Sequence, residues 1–70
     1  MSHTKIKYKN GKTLIVNDYH VESIAINPEY KSIRINFVSG KNVDLGVNSD
    51  VYIDISQETY NELTDWIGEE

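Results

Sequence analysis

Up to Ser56, several short runs of this chain carry apolar residues at every second position and are broken by turn-forming residues; after Ser56 the spacing becomes helical. That change of period constrains the fold more than any other feature. A period of two fits a pleated strand with one face buried, and a period of about 3.6 fits a helix with an apolar stripe. Lys5 to Lys9 alternates charged and apolar residues without a break, and β-branched residues resume from Lys12 to Val16. Asn10-Gly11 lies between the two runs, which predicts a hairpin with a type I′ turn and positive φ at both central residues. A second strand pair is expected over about 21–27 and 31–38, reversed at Asn27-Pro28-Glu29-Tyr30, where proline fixes φ.

In the later of these strands Ile33, Ile35 and Phe37 face one way, and Ser32, Arg34 and Asn36 the other. Ser39-Gly40 marks the next turn, and Lys41 to Leu45 puts Val43 and Leu45 on one face. After a loop over 46–49, Val51, Ile53 and Ile55 form a last apolar face opposed by Asp50, Tyr52 and Asp54. No internal repeat, low-complexity segment or linker is evident.

Ser56 is placed to cap a helix, because its hydroxyl can accept a free N–H of the first turn, and Glu58 suits the positive end of the helix dipole. Tyr60, Leu63 and Ile67 recur at helical spacing, Trp66 borders their stripe with its N–H expected to stay wet, and Gly68 is placed to end the helix. A helix this short is marginal alone and must dock on the sheet. The expected fold is α+β: a small antiparallel β-sheet or half-open barrel of about five to six short strands, with one C-terminal helix packed on it. Residues 1–70 read as a single domain, with strands over about 5–55 and the helix over about 56–67. Ile33, Ile35, Phe37, Val43, Val51, Ile53, Tyr60, Leu63 and Ile67 are the expected core.

Size narrows the function. A 70-residue chain has little room for a deep pocket, and with no cysteine it has neither a disulfide nor a cysteine zinc site. No apolar run approaches the roughly 20 residues of a membrane span, and Met1-Ser2-His3-Thr4-Lys5 lacks the apolar core of a signal peptide. A cytoplasmic protein is therefore expected. No glycine-rich phosphate loop, zinc spacing or nucleophile elbow is present, so no catalytic residue, metal or cofactor is assigned and an enzyme is not expected.

The charges are segregated. All seven basic residues lie within the first 41 positions, against Asp18, Glu22 and Glu29, for a net of +4. Residues 42–70 contain eight acidic residues and no Lys or Arg, for a net of −8. The two halves either neutralise each other on folding or present an anionic surface to a basic partner. Glu58, Glu62, Asp65 and Glu69 fall on one strip of the helix, opposite Tyr60, Leu63 and Ile67, with no lysine interleaved to form i,i+4 pairs. That strip reads either as a solubilising face or as an anionic ridge. Asp50, Tyr52 and Asp54 extend it onto the sheet, with Tyr52 as an aromatic anchor among steering charges, and Trp66 lies at its border.

Lys5, Lys7, Lys9 and Lys12 form the opposite pole. Such a comb can follow a phosphate backbone, but no stacking platform accompanies it and the overall charge is −4. Lysines on an edge strand also block edge-to-edge pairing. Asp18, His20 and Glu22 would share a face if extended, although Asn17-Asp18 reads as a turn that breaks it. In size and charge segregation the chain resembles the small inhibitor proteins made by phages and mobile elements, a likeness that rests on no aligned motif. The expected function is a non-enzymatic protein-interaction domain, of the inhibitor type, that uses its acidic surface to occupy a basic site on a partner protein. The alternatives are a nucleic-acid-binding module using the lysine strand, or an assembly subunit whose open sheet edge adds to a neighbour's sheet or to a second copy.

Overall fold

The computed structural model describes residues 3–68. Six strands and one helix follow in the order β1 (His3–Lys7), β2 (Thr13–Asn17), β3 (Val21–Asn27), β4 (Ser32–Phe37), β5 (Asn42–Val47), β6 (Ile53–Ile55) and α1 (Gln57–Gly68). A single 3-10 turn, Asp18–His20, separates β2 from β3, with the Asn17 side chain accepting the Tyr19 N–H at 3.0 Å. The strands form a β1–β2 hairpin and a four-stranded sheet in the order β3-β4-β5-β6. Among the described residues one backbone bond, Lys9 N–H to the Asp54 carbonyl at 3.0 Å, connects the hairpin to β6, and the two sheets do not close a barrel.

Period-two alternation delivers the core. Ile6 and Val16 from the hairpin, Ile33 and Ile35 from β4, Leu45 from β5 and Ile55 from β6 are buried together with Tyr60 and Leu63 of α1. Phe37, Val43, Ile53 and Ile67 pack against this cluster while only partly buried. Helix α1 is seated by its cap. The Ser56 hydroxyl accepts the Thr59 N–H at 3.1 Å, as the sequence predicts, and the buried Thr59 hydroxyl donates to the Lys7 carbonyl at 3.5 Å.

Four expectations are corrected. Neither tight hairpin uses a type I′ turn. In Tyr8-Lys9-Asn10-Gly11-Lys12 the Tyr8 N–H donates to the Lys12 carbonyl at 2.8 Å and the Gly11 N–H to the Tyr8 carbonyl at 3.1 Å. Gly11 alone takes positive φ, +93°, which is the three-residue loop with a glycine bulge. Phe37-Val38-Ser39-Gly40-Lys41 repeats the same two bonds, at 2.8 and 2.9 Å, with Gly40 at +92°. The chain thus contains one turn twice, an aromatic-x-x-Gly-Lys repeat that strand periodicity does not reveal.

The sheet is also not wholly antiparallel, because β6 runs parallel to β5 in the register Leu45↔Ile53, Gly46↔Asp54, Val47↔Ile55. Parallel neighbours usually need a crossover of a dozen residues or more. Here residues 48–52 fold back locally, starting at Asn48 with φ +54°, and the last strand begins only at Ile53. Val51 therefore lies in the loop and is 80 % exposed instead of being core. Finally, the Trp66 indole N–H does not stay wet but donates to the Asp18 carboxylate at 3.3 Å.

Candidate interaction surface

Tyr60 and Leu63 turn one side of α1 into the core, which leaves Glu58, Glu62 and Asp65 on the exposed side, as their spacing predicts. Glu69, the fourth member of the strip, lies outside the described residues. Among the described residues two ion pairs form. Lys9 Nζ lies 3.9 Å from Asp54, and Arg34 Nε lies 2.6 Å from Asp44, with a second guanidinium nitrogen reaching the other carboxylate oxygen at 3.4 Å. Asp44 holds the Arg34 guanidinium above its ordinary pKa, first through the hydrogen bond and then through its charge. Each pair joins the basic part of the chain to the acidic part, so the halves neutralise each other at two points. Neither pair involves Asp50, Glu58, Glu62 or Asp65.

Asp50, Tyr52 and Asp54 do not form one outward strand face, because the strand starts after Tyr52. Asp54 is built into the loop: its carboxylate accepts the Ser49 N–H at 3.1 Å. The Ser49 hydroxyl in turn accepts the N–H groups of Val51 at 3.1 Å and Tyr52 at 2.8 Å. This network holds Tyr52 over Gly46, where a Cβ would stand 3.3 Å from the ring. Tyr52 keeps 43 % of its surface exposed.

Sequence reasoning missed Tyr30, which is 69 % exposed and shares a depression of about 370 Å³ with Val47, Val51 and Tyr52. Across Tyr52 a second depression of about 390 Å³ is lined by Ile26, Pro28, Arg34 and Asp44. Lys31 Nζ donates to Gln57 Oε1 at 3.0 Å, which ties the turn carrying Tyr30 to the first turn of α1, where Glu58 stands. The signal for Tyr30 was a large aromatic placed in a turn, outside any alternating run; partly exposed tyrosines of this kind are typical interface anchors.

The lysine comb is divided. Lys5 and Lys7 share the exposed face of the hairpin with Ile15, which is 60 % exposed and pairs with Lys5. Lys9 is committed to Asp54 and to the Asn48 side chain, and Lys12 sits beyond the turn, its N–H held by the Asn10 side chain at 2.9 Å. Asp18, His20 and Glu22 are not presented together. The Asp18 carboxylate is occupied by the Trp66 indole at 3.3 Å and the Thr4 hydroxyl at 3.4 Å. No group of three or more metal-ligating side chains occurs, and no helix is long and apolar enough to cross a membrane, among the described residues.

No protein-family model matches the chain, and no curated protein or solved structure matches it.

Proposed function

We propose that this chain is a small, non-enzymatic protein-interaction domain that acts in the cytoplasm and uses the acidic side of α1, flanked by Asp50 and the Tyr30–Tyr52 patch, to occupy a basic site on a partner protein. The observation that carries this reading is the disposition of the acids. Asp44 and Asp54 are tied to bases of the fold, whereas Glu58, Glu62 and Asp65 stand exposed on one helix side and form no ion pair among the described residues. Leaving like charges unpaired at i,i+4 costs a helix a few tenths of a kcal/mol, so the arrangement is not one that helix stability favours. Charges of this kind steer a partner's approach, and the two tyrosines supply the apolar contact that charges alone lack. An inhibitor of the phage or mobile-element type, which the chain resembles in size and charge segregation, is the use this reading favours.

The test is reversal of the strip. Glu58→Lys, Glu62→Lys and Asp65→Lys together leave the packed side of α1 untouched, which circular dichroism verifies. A partner captured from the native host by the wild type, identified by mass spectrometry and purified, is titrated calorimetrically at two salt concentrations. The expected results are weaker binding at higher salt and a loss of at least about tenfold in the triple variant. Unchanged affinity in the folded variant overturns the proposal. A partner that proves to be DNA or RNA, released by Lys5→Glu with Lys7→Glu, overturns it in favour of the lysine face.

A further inference from the structure

Strand β3 bonds to β4 on one side and is the edge of the four-stranded sheet on the other. Val21 N–H donates to the Asp18 carbonyl, and among the described residues no backbone bond outside the ladders involves Ser23 to Asn27. Natural edges are guarded by lysine, proline, inward-pointing charge or a bulge; β3 has a bulge at its start and Pro28 just past its end, but Ser23-Ile24-Ala25-Ile26-Asn27 between them contains none of these. The register slips between Val21 and Ser23, so Glu22 is the extra residue of a bulge and stands outside this uncharged run.

Two apolar features flank the edge. Ile26 pairs with the buried Ile33 and so belongs to the inner face of the sheet, but it remains 38 % exposed, uncovered by any of the described residues. Beside Ile24, a groove of about 270 Å³ opens between the edge and the end of α1, lined by Val21, Ile24, Trp66 and Ile67 together with Asp18 and Glu22. One copy of the chain therefore carries both an unfilled apolar groove and an uncovered apolar side chain, two residues apart on one strand.

We propose that two copies of this chain pair β3 to β3 antiparallel about a two-fold axis through Ala25, joining their sheets into one of eight strands. In that register Ala25 faces its own counterpart, Ser23 faces Asn27 of the second copy, and Ile24 faces Ile26 of the second copy. Directly opposed side chains in an antiparallel pair have Cβ atoms about 4.5–5.5 Å apart. Each copy's Ile26 therefore enters the other's groove beside Ile24, Trp66 and Ile67, and symmetry makes the contact twice. The charges agree with this register. Glu22 falls opposite Pro28 of the second copy, and no like charges face each other. Centring the axis on Ile24 would instead set Glu22 against Ile26, and a shift by one residue would turn the apolar faces apart. The acidic side of α1 takes no part in the pairing, so Glu58, Glu62 and Asp65 stay free in the dimer.

Sedimentation equilibrium of the full chain, from micromolar to millimolar concentration, tests the pairing. The wild type is expected to rise from 8.1 kDa toward twice that mass. Ala25→Lys and Ala25→Glu, at an exposed position, each place like charges face to face across the axis and should remain at monomer mass. Mixed in equal amounts, the two should recover the dimer, because Lys then faces Glu. Ile26→Ala, which empties the groove without adding charge, should weaken dimerisation at least about tenfold, with the fold of each variant checked by circular dichroism. A wild type that stays monomeric at millimolar concentration overturns the proposal. So does a dimer that Ala25→Lys leaves intact, or a Lys/Glu mixture that fails to associate.

Discussion

Gly46→Ala isolates what holds the β5–β6 connection. Gly46 lies in a strand, where alanine is ordinarily favoured by about 0.5–1 kcal/mol, and it does not need the left-handed conformation that would exclude a side chain. Propensity alone therefore predicts stabilisation. Packing predicts the reverse. A Cβ at Gly46 would stand 2.9 Å from the Ser49 Cβ and 3.3 Å from a Tyr52 ring carbon, well inside the roughly 3.5–4.0 Å at which carbon atoms attract. The closest atom belongs to the root of a side chain, so it can retreat only if the backbone of the 48–52 loop retreats with it. That loop is held by the Ser49 hydroxyl at 3.1 and 2.8 Å from two N–H groups and by Asp54 at 3.1 Å. Overpacking of this kind costs about 1–3 kcal/mol, which exceeds the propensity gain and leaves a net loss near 1 kcal/mol. In a domain of this size that lowers the midpoint of thermal unfolding by about 4–8 °C. Gly68→Ala is the control, since its Cβ meets nothing within 4 Å, and it should be neutral or slightly stabilising. A Gly46→Ala variant as stable as the wild type in urea would refute the reasoning.

Two further perturbations discriminate the packing. Ile35→Ala, at a side chain with no exposed surface, should cost about 2–5 kcal/mol in urea unfolding, while Val51→Ala, at 80 % exposure, should stay within about 0.5 kcal/mol; equal losses would contradict the burial described. Burial pushes the Tyr8 phenol above its ordinary value near 10, so the folded state holds the proton more tightly than the unfolded chain. Its contribution is complete below the unfolded pKa and is lost as pH rises through the folded one. The urea midpoint should therefore decline above about pH 10 and decline less in Tyr8→Phe; an identical decline in that variant would remove Tyr8 as the cause.

The α+β architecture was legible because most strands leave one face wet. Ile33 and Ile35 against Ser32, Arg34 and Asn36 could not be read otherwise, and Ser56, Tyr60 and Leu63 marked the helix by cap and period. Val51 was misread for a physical reason. Val51, Ile53 and Ile55 satisfy alternation over their whole length, and alternation does not encode where a strand starts. The start is set by the Ser49 and Asp54 side chains, which take the backbone N–H groups of Ser49, Val51 and Tyr52. The same loop makes β6 parallel to β5, a relation no local pattern contains. Glu58, Glu62 and Asp65 lay where their spacing put them, since an exposed helix side needs only its own period. Tyr30 and the groove beside Trp66 depend on which turns and edges meet in space, and no periodicity carries that information.

The order β3-β4-β5-β6 beside β1–β2 has a kinetic consequence. Every ladder joins strands that are consecutive in the chain, including the parallel one, so each pairing closes only a short loop. Chains dominated by such neighbouring pairings search less conformational space and fold faster than β-proteins assembled from distant strands. The two aromatic-x-x-Gly-Lys turns give the search two equivalent starting points, one in each sheet. What remains non-local is the seating of the β1–β2 hairpin against β6 and the docking of α1, which supplies Tyr60 and Leu63 to the core. The rate-limiting event should accordingly be the closure of preformed hairpins beneath the helix, with Leu63→Ala slowing folding and substitutions at Lys9 to Gly11 or Val38 to Gly40 changing how the search begins.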